Sequence, residues 1–185
     1  MKLTGSYKIP TDKQSVWEAL NNPEILEKCI PGCEEFKKNS DTSFSATATN
    51  KIGPFNASFT GDVELQDLNP PHSYKLVGQG NSPVGFASGE ARVTLTEDAG
   101  YTVLTYDVEA NVGGKIAQVG SRLIDMTAKK MADIFFGKFS ETISPQSQTS
   151  QFVSKTSVEK KGFNKKLIYA FATLVSIGLI LLVFF

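Results

Sequence analysis

Two thiols and one imidazole carry most of the soft-ligand and nucleophile chemistry this sequence could offer. Cys29 and Cys33 lie in "KCIPGCEE", and His72 lies in "NPPHSY". A zinc ion held by that cysteine pair would need two more ligands, and the single histidine stands far along the chain. Two cysteines in 185 residues do not make a disulfide scaffold either. They read as reduced, partly buried thiols around a Pro-Gly turn. A lone histidine in a Pro-Pro loop leaves no partner for a Ser-His-Asp or Cys-His set. Asp62, Glu64, Glu90, Arg92 and Asp107 alternate with apolar or small residues and fall on outward strand parity. No ionisable group is forced inward, so acid–base catalysis has no evident agent. The remaining polar candidates are Tyr74, Tyr106, Thr127 and Asn50. A tyrosine hydroxyl can donate to a carbonyl while its ring packs on an apolar headgroup, although such a tyrosine also serves as a core residue. "CIPGCE" reads equally as a gating loop or as a simple connector.

The glycine-rich "GQGNSPVG" invites a phosphate-binding reading. That chemistry needs a strand, the glycines, and then a helix N-terminus. Here strand patterns lie on both sides, so the glycines thin a sheet wall and turn a hairpin.

The elements that must position these groups follow from periodicity. "KLTGSYKI" predicts a first strand. "TDKQSVWEALNNP" predicts a helix capped by Thr11 or Asp12 and stopped at Pro23, and "PEILEKCIPG" a second short one. Period-2 alternation then runs through "FSATATNKI", "FNASFTGDVEL", "SYKLVGQG", "ASGEARVTLTE" and "YTVLTYDVEANV", with "EDAGY" as the last tight turn. After Gly113-Gly114 the period becomes three or four, with Ile116, Val119, Leu123, Thr127, Met131 and Ile134 on one face. One amphipathic helix from Lys115 to about Ser140 is expected. The fold class is therefore α+β: an antiparallel sheet of six to seven strands, curved around a long C-terminal helix.

Small residues crowd the inward positions of both walls. Ala46, Ala48, Ala57, Gly61, Gly78, Gly80, Ala87, Gly89, Ala91 and Ala110 face Ala117, Gly120, Ala128 and Ala132. Such walls mean either very close packing or a hollow, and a helix about 10 Å from a curved sheet favours the hollow. Its expected lining is Trp17, Phe55, Phe59, Val63, Tyr74, Leu76, Gly89, Val93, Tyr106, Val108, Ala110, Leu123, Thr127 and Met131.

Formal net charge is +0. Without a clustered cationic excess, nucleic acid is not an expected partner. Residues 144–166 are rich in Ser, Gln, Thr and Lys and read as a flexible linker of roughly 25 Å r.m.s. span. Residues 167–185 hold no charge, and about 19 residues of helix span about 28 Å, the thickness of a bilayer's hydrocarbon. Lys160, Lys161, Lys165 and Lys166 precede this run, so the positive-inside rule keeps residues 1–143 in the cytoplasm. The sequence is thus expected to be a single-pass, C-terminally anchored membrane protein with no amino-terminal signal peptide.

The order of elements resembles the START-like, Bet v 1-like superfamily, whose helix-grip fold encloses hydrophobic ligands. "IPGCE", "FTGDVEL", "GQGNSPVGFASGEARVTL" and "VGGKIAQVGSRLIDMTAKKMADIFF" resemble the carbon monoxide dehydrogenase G-subunit family over about three quarters of the chain. That resemblance implies a non-catalytic protein that accompanies a molybdenum hydroxylase of the carbon monoxide dehydrogenase type, ties it to the membrane, and binds quinone or lipid. It implies no metal and no covalent cofactor. The alternative within the same resemblance is a ligand-independent anchor or assembly factor. A superfamily enzyme acting on a polyketide or steroid is disfavoured for want of catalytic groups.

Overall fold

The computed structural model describes residues 1–144. The linker and membrane-anchor expectations, residues 144–166 and 167–185, therefore lie outside the described residues apart from Ser144. Chain order is β1 (Lys2–Ile9), α1 (Lys13–Ala19), α2 (Pro23–Cys29), β2 (Cys33–Lys38), β3 (Ser43–Ile52), β4 (Phe55–Asn69), β5 (Ser73–Ser82), β6 (Gly85–Asp98), β7 (Tyr101–Gly114), a 3-10 turn (Lys115–Val119) and α3 (Ser121–Ile143). The seven strands form one antiparallel sheet in the order β1-β7-β6-β5-β4-β3-β2. The first strand pairs with the last, and α3 packs on the face that α1 and α2 close off at one end. This is the helix-grip arrangement.

Local chemistry accounts for the boundaries. Asp12 Oδ1 accepts the Ser15 N–H at 2.9 Å and starts α1. Asn22 Oδ1 accepts the Glu24 N–H at 3.0 Å, and Pro23 opens α2 where its missing N–H costs nothing. Between β6 and β7, Ala99 and Gly100 both take positive φ, 47° and 85°, the geometry of a two-residue turn that matches strand twist.

One strand and one helix start differ from the sequence reading. The pattern does not announce β2, because "CEEFKK" carries four charges and alternation shows only at Phe36. It is an edge strand, and charged side chains on an edge discourage pairing with other chains. The long helix begins at Ser121, not Lys115. Gly120 takes φ 89°, which ends the 3-10 turn and breaks the run. The break resets the helical phase. The buried face of α3 is Ile124, Ala128, Met131, Ala132, Phe135, Phe136, Phe139 and Ile143. Leu123, expected on the inner face, is 36% exposed, and Thr127 and Ile134 flank the seam half-buried.

The interior is graded along the sheet. Toward the α1 end, Tyr74, Leu76, Val93, Leu95 and Leu104 are buried in one cluster with Trp17, Phe135 and Phe139. Trp17 meets Tyr74 edge-on with centroids 5.8 Å apart. This end is a close-packed core.

Candidate functional site

Strand register places the small residues in two adjacent inward rows. Ala46, Gly61, Gly80, Ala87 and Val112 lie side by side across β3 to β7, and so do Phe44, Val63, Gly78, Gly89 and Ala110. They cover the half of the sheet opposite the first three turns of α3, which buries Ile124, Ala128, Met131 and Ala132. The two halves differ in side-chain size and not in exposure: Ala57 and Met131 retain 8% here, and Ile143 retains 8% at the far end of α3. Not every glycine there makes room for a guest. A Cβ on Gly61 would stand 2.7 Å from the Gln79 carbonyl, and one on Gly89 2.8 Å from Ala110 Cα. These two glycines let neighbouring strands approach; they report backbone packing as much as space.

The expected lining residues divide accordingly. Phe59, Val63, Leu76, Val93, Val108, Ala110 and Met131 face the interior and are buried. Trp17 and Tyr74 belong to the close-packed end. Phe55 is half-buried at the start of β4, beside the β3–β4 turn, and Gly89 is half-buried in the second small row. Thr127 donates its hydroxyl to the Leu123 carbonyl at 2.8 Å, back along its own helix. Leu123 stands at the rim.

Tyr106 does not aim its hydroxyl into the middle of the interior. Its ring lies across Gly5 of the edge strand β1, where a Cβ would collide with the ring and hydroxyl. It stacks with Phe136 at 6.0 Å and Tyr7 at 6.1 Å, and Tyr7 stacks with Phe136 at 4.1 Å. The aromatic covers the backbone that a glycine on an edge strand leaves bare. Tyr7 in turn donates to Asp133 Oδ1 at 2.5 Å. Burial first, and then the hydrogen bond to Asp133, push the Tyr7 hydroxyl above the usual tyrosine range. Burial likewise raises Tyr106. Both phenols stay protonated at physiological pH, and with Phe136 they seam α3 to β1 and β7.

"CIPGCE" is bonded to β3 in this structure. Asn50 Nδ2 donates to the Pro31 carbonyl at 3.0 Å, and the Thr49 N–H donates to the Gly32 carbonyl at 2.9 Å. Gly32 takes φ 66° with no room for a Cβ against β3. Asn50, a candidate polar group of the interior, is spent on this anchoring. Cys29 is buried with Sγ 3.8 Å from Thr142 Oγ1. Burial pushes the Cys33 thiol up to about 11, with Glu27 adding to the effect. A raised thiol pKa favours the protonated form in the fold, so reactivity is withheld until pH approaches that value. Iodoacetamide labelling of Cys33 in the folded chain is expected to be slow at pH 8. It should rise about tenfold per pH unit to beyond pH 10 as the thiolate fraction grows. A rate that levels off near pH 9, read by mass spectrometry, would contradict this.

The outer face holds a trough enclosing about 1120 Å³. It crosses from Ser40, Thr42 and Ser43 to Met1 and Lys2. Asp62, Glu64, Gln79, Ser88, Glu90 and Glu109 point into it from outward strand positions. Lys2 pairs with Glu109 at 2.5 Å and Lys75 with Glu90 at 2.7 Å. Sequence alternation marks Asp62, Glu64 and Glu90 as outward but not that the outer face is concave there, since concavity is set by how the whole sheet bends. Among the described residues no three His, Cys, Asp or Glu are grouped as a metal site would require.

A family model described as the carbon monoxide dehydrogenase G-subunit (CoxG) matches residues 5–144. Among solved structures, a conserved protein from Geobacillus kaustophilus is 32% identical with a TM-score of 0.74, over 78% of this chain and 95% of that one. A Mycobacterium smegmatis protein is 17% identical with a TM-score of 0.60, over 78% of this chain and 92% of that one. The Zhui aromatase/cyclase from Streptomyces sp. R1128 is 14% identical with a TM-score of 0.58, over 83% of this chain and 99% of that one. The last two share the fold alone. No curated protein matches the chain.

Proposed function

Because the chain belongs to the carbon monoxide dehydrogenase G-subunit (CoxG) family, we propose that it is a non-catalytic binding module. It takes a quinone or similar lipid between sheet and α3 and presents it, beside a membrane, to a molybdenum hydroxylase of the carbon monoxide dehydrogenase type. The observation that carries this reading is the graded interior. One end is filled by the chain's own aromatics, whereas the other is walled by Ala46, Gly61, Gly80, Ala87, Gly78, Gly89 and Ala110, side chains too small to fill it in the same way. An isoprenoid chain gains about 0.8 kcal/mol per methylene taken out of water, so an apolar lining suffices to hold it without a charged group. The phenols of Tyr7 and Tyr106 pack on Phe136 and serve the α3 seam; they are not assigned to the ligand. The membrane tether rests on the charge-free run after Lys166. Among the described residues no helix is long and apolar enough to cross a membrane.

The test is organic extraction of the full chain purified from membranes in detergent, followed by mass spectrometry. An apolar molecule near one equivalent per chain is expected. A chain that yields none would overturn the carrier reading.

A second reading, an anchor or assembly factor that needs no ligand, is favoured by the outer trough. Its width of six strands and its carboxylates at Asp62, Glu64, Glu90 and Glu109 suit a basic segment of a partner protein. Recruitment of the enzyme that survives removal of the interior ligand would select it.

A further inference from the structure

We infer that the open end of the domain is itself a lipid-facing surface. There the β3–β4 turn, the β5–β6 turn, the 3-10 turn and the first two turns of α3 come together to rest on an anionic bilayer. The four segments are held as one. The Ile116 N–H donates to the Val84 carbonyl at 2.9 Å, joining the 3-10 turn to the β5–β6 turn. A Cβ on Gly53 would stand 3.0 Å from Leu123 Cδ2 and 3.4 Å from Val119 Cγ1, so α3 and the 3-10 turn sit over the β3–β4 turn.

This end exposes apolar side chains that the rest of the fold does not cover. Met126 is 61% exposed, Phe86 49% and Leu123 36%. Leu123 and Met126 are three residues apart on α3 and so adjoin on its surface. Met126 points away from the sheet, because the helix buries Ile124 and Ala128. It cannot be explained as core. It stands between Arg122 and Lys130, four residues to either side, both exposed.

The unpaired exposed charges around this patch are cationic. Lys51, Lys115, Arg122 and Lys130 are exposed and pair with no carboxylate among the described residues. Lys129 is the cation of α3 that is paired, with Asp133 at 3.4 Å. The other carboxylate of this stretch, Asp125, is half-buried, with Oδ1 out of contact with solvent. An exposed apolar pair flanked by unpaired Lys and Arg is the pattern of a helix that lies in a bilayer interface, with acyl contact for Leu123 and Met126 and phosphate contact for the cations. A protein partner with the trough's acidic character would be attracted no better than a lipid, whereas the exposed apolar pair between the cations favours a surface that offers both phosphate and acyl chain. The inference deepens the proposed function, since docking at this end would bring the small-residue half of the interior close to lipid. It does not depend on a ligand being present.

The test uses the full chain in nanodiscs of phosphatidylcholine alone and of phosphatidylcholine with phosphatidylglycerol. Hydrogen peroxide oxidation of each methionine is followed by mass spectrometry. Met126 is expected to oxidise about fivefold more slowly on the anionic discs than on the neutral ones. Met131, 8% exposed, serves as the internal control and should not change. Arg122→Glu with Lys130→Glu should remove the protection while leaving the melting temperature in place. Equal oxidation on both discs overturns the inference. So does protection by neutral discs to the same extent, because the cations then play no part. Protection that appears without lipid and grows with protein concentration also overturns it, in favour of self-association. Lipid or quinone extracted from the same samples is measured separately, so that an empty interior and a failed docking surface are told apart.

Discussion

Ala87→Phe is expected to keep the fold and lose the ligand. Ala87 is 1% exposed in the small inward row, between Gly80 and Val112. If this half of the interior holds a guest, the new ring occupies the guest's place. The melting temperature of the ligand-free chain should then change little, and the apolar molecule recovered by extraction should fall at least about tenfold, the loss of about 1.4 kcal/mol or more of binding. If the half is solid protein, the same ring must displace its neighbours. Overpacking of that kind costs about 1–3 kcal/mol, sometimes more. The pair of measurements therefore separates the two interpretations of the small residues. A fall in stability with no ligand found in the wild-type chain would defeat the carrier reading, and unchanged ligand content with unchanged stability would place the guest elsewhere. Ala87 is a better site for this than Gly89, where any side chain meets the Glu109 carbonyl and Ala110 and distorts the strand whatever the interior contains.

Phe135→Ala is expected to be the most damaging single truncation on α3. Phe135 has no exposure, meets Phe136 edge-on at 5.0 Å and stacks on Phe139 at 5.6 Å. Truncating a buried phenylalanine costs about 3–5 kcal/mol through lost transfer energy and the void left behind. That is a large share of the roughly 5–15 kcal/mol that holds a domain of this size together. At about 2–4 °C per kcal/mol, thermal melting should drop by about 10 °C. Leu123→Ala, on the same helix but at the rim, should change stability by no more than about 0.5 kcal/mol. Urea titration of both variants checks the phase of the helix directly. Equal costs at the two positions would mean that the buried face has been placed wrongly.

That phase shows how far pattern carries. The period of the last segment announces an amphipathic helix, and Met131 and Ala128 lie inside as it requires. The same period, continued straight through Gly120, misplaces Leu123. A glycine at positive φ is a joint whose angle no side-chain pattern records, so Leu123 stands exposed where unbroken periodicity puts it inside. β2 escapes the pattern for a related reason. An edge strand has one neighbour and little apolar surface to bury, and its charged residues leave only Phe36 to mark the inner face.

The sequence by itself determined the α+β class, the five long strands from Ser43 to Gly114, the inward parity of Phe59, Val63, Val108 and Ala110, and the crowd of small residues on one wall. These are local properties: alternation and turn chemistry act between residues a few positions apart. Only the tertiary structure decided where the small residues gather, which of the glycines answer to strand approach, that Tyr106 turns over Gly5 toward α3, and that the outer face is hollowed into a carboxylate-lined trough. Each of these depends on register between strands and on the bend of the whole sheet, quantities fixed by contacts between residues far apart in the chain, which no reading of neighbours along the chain contains.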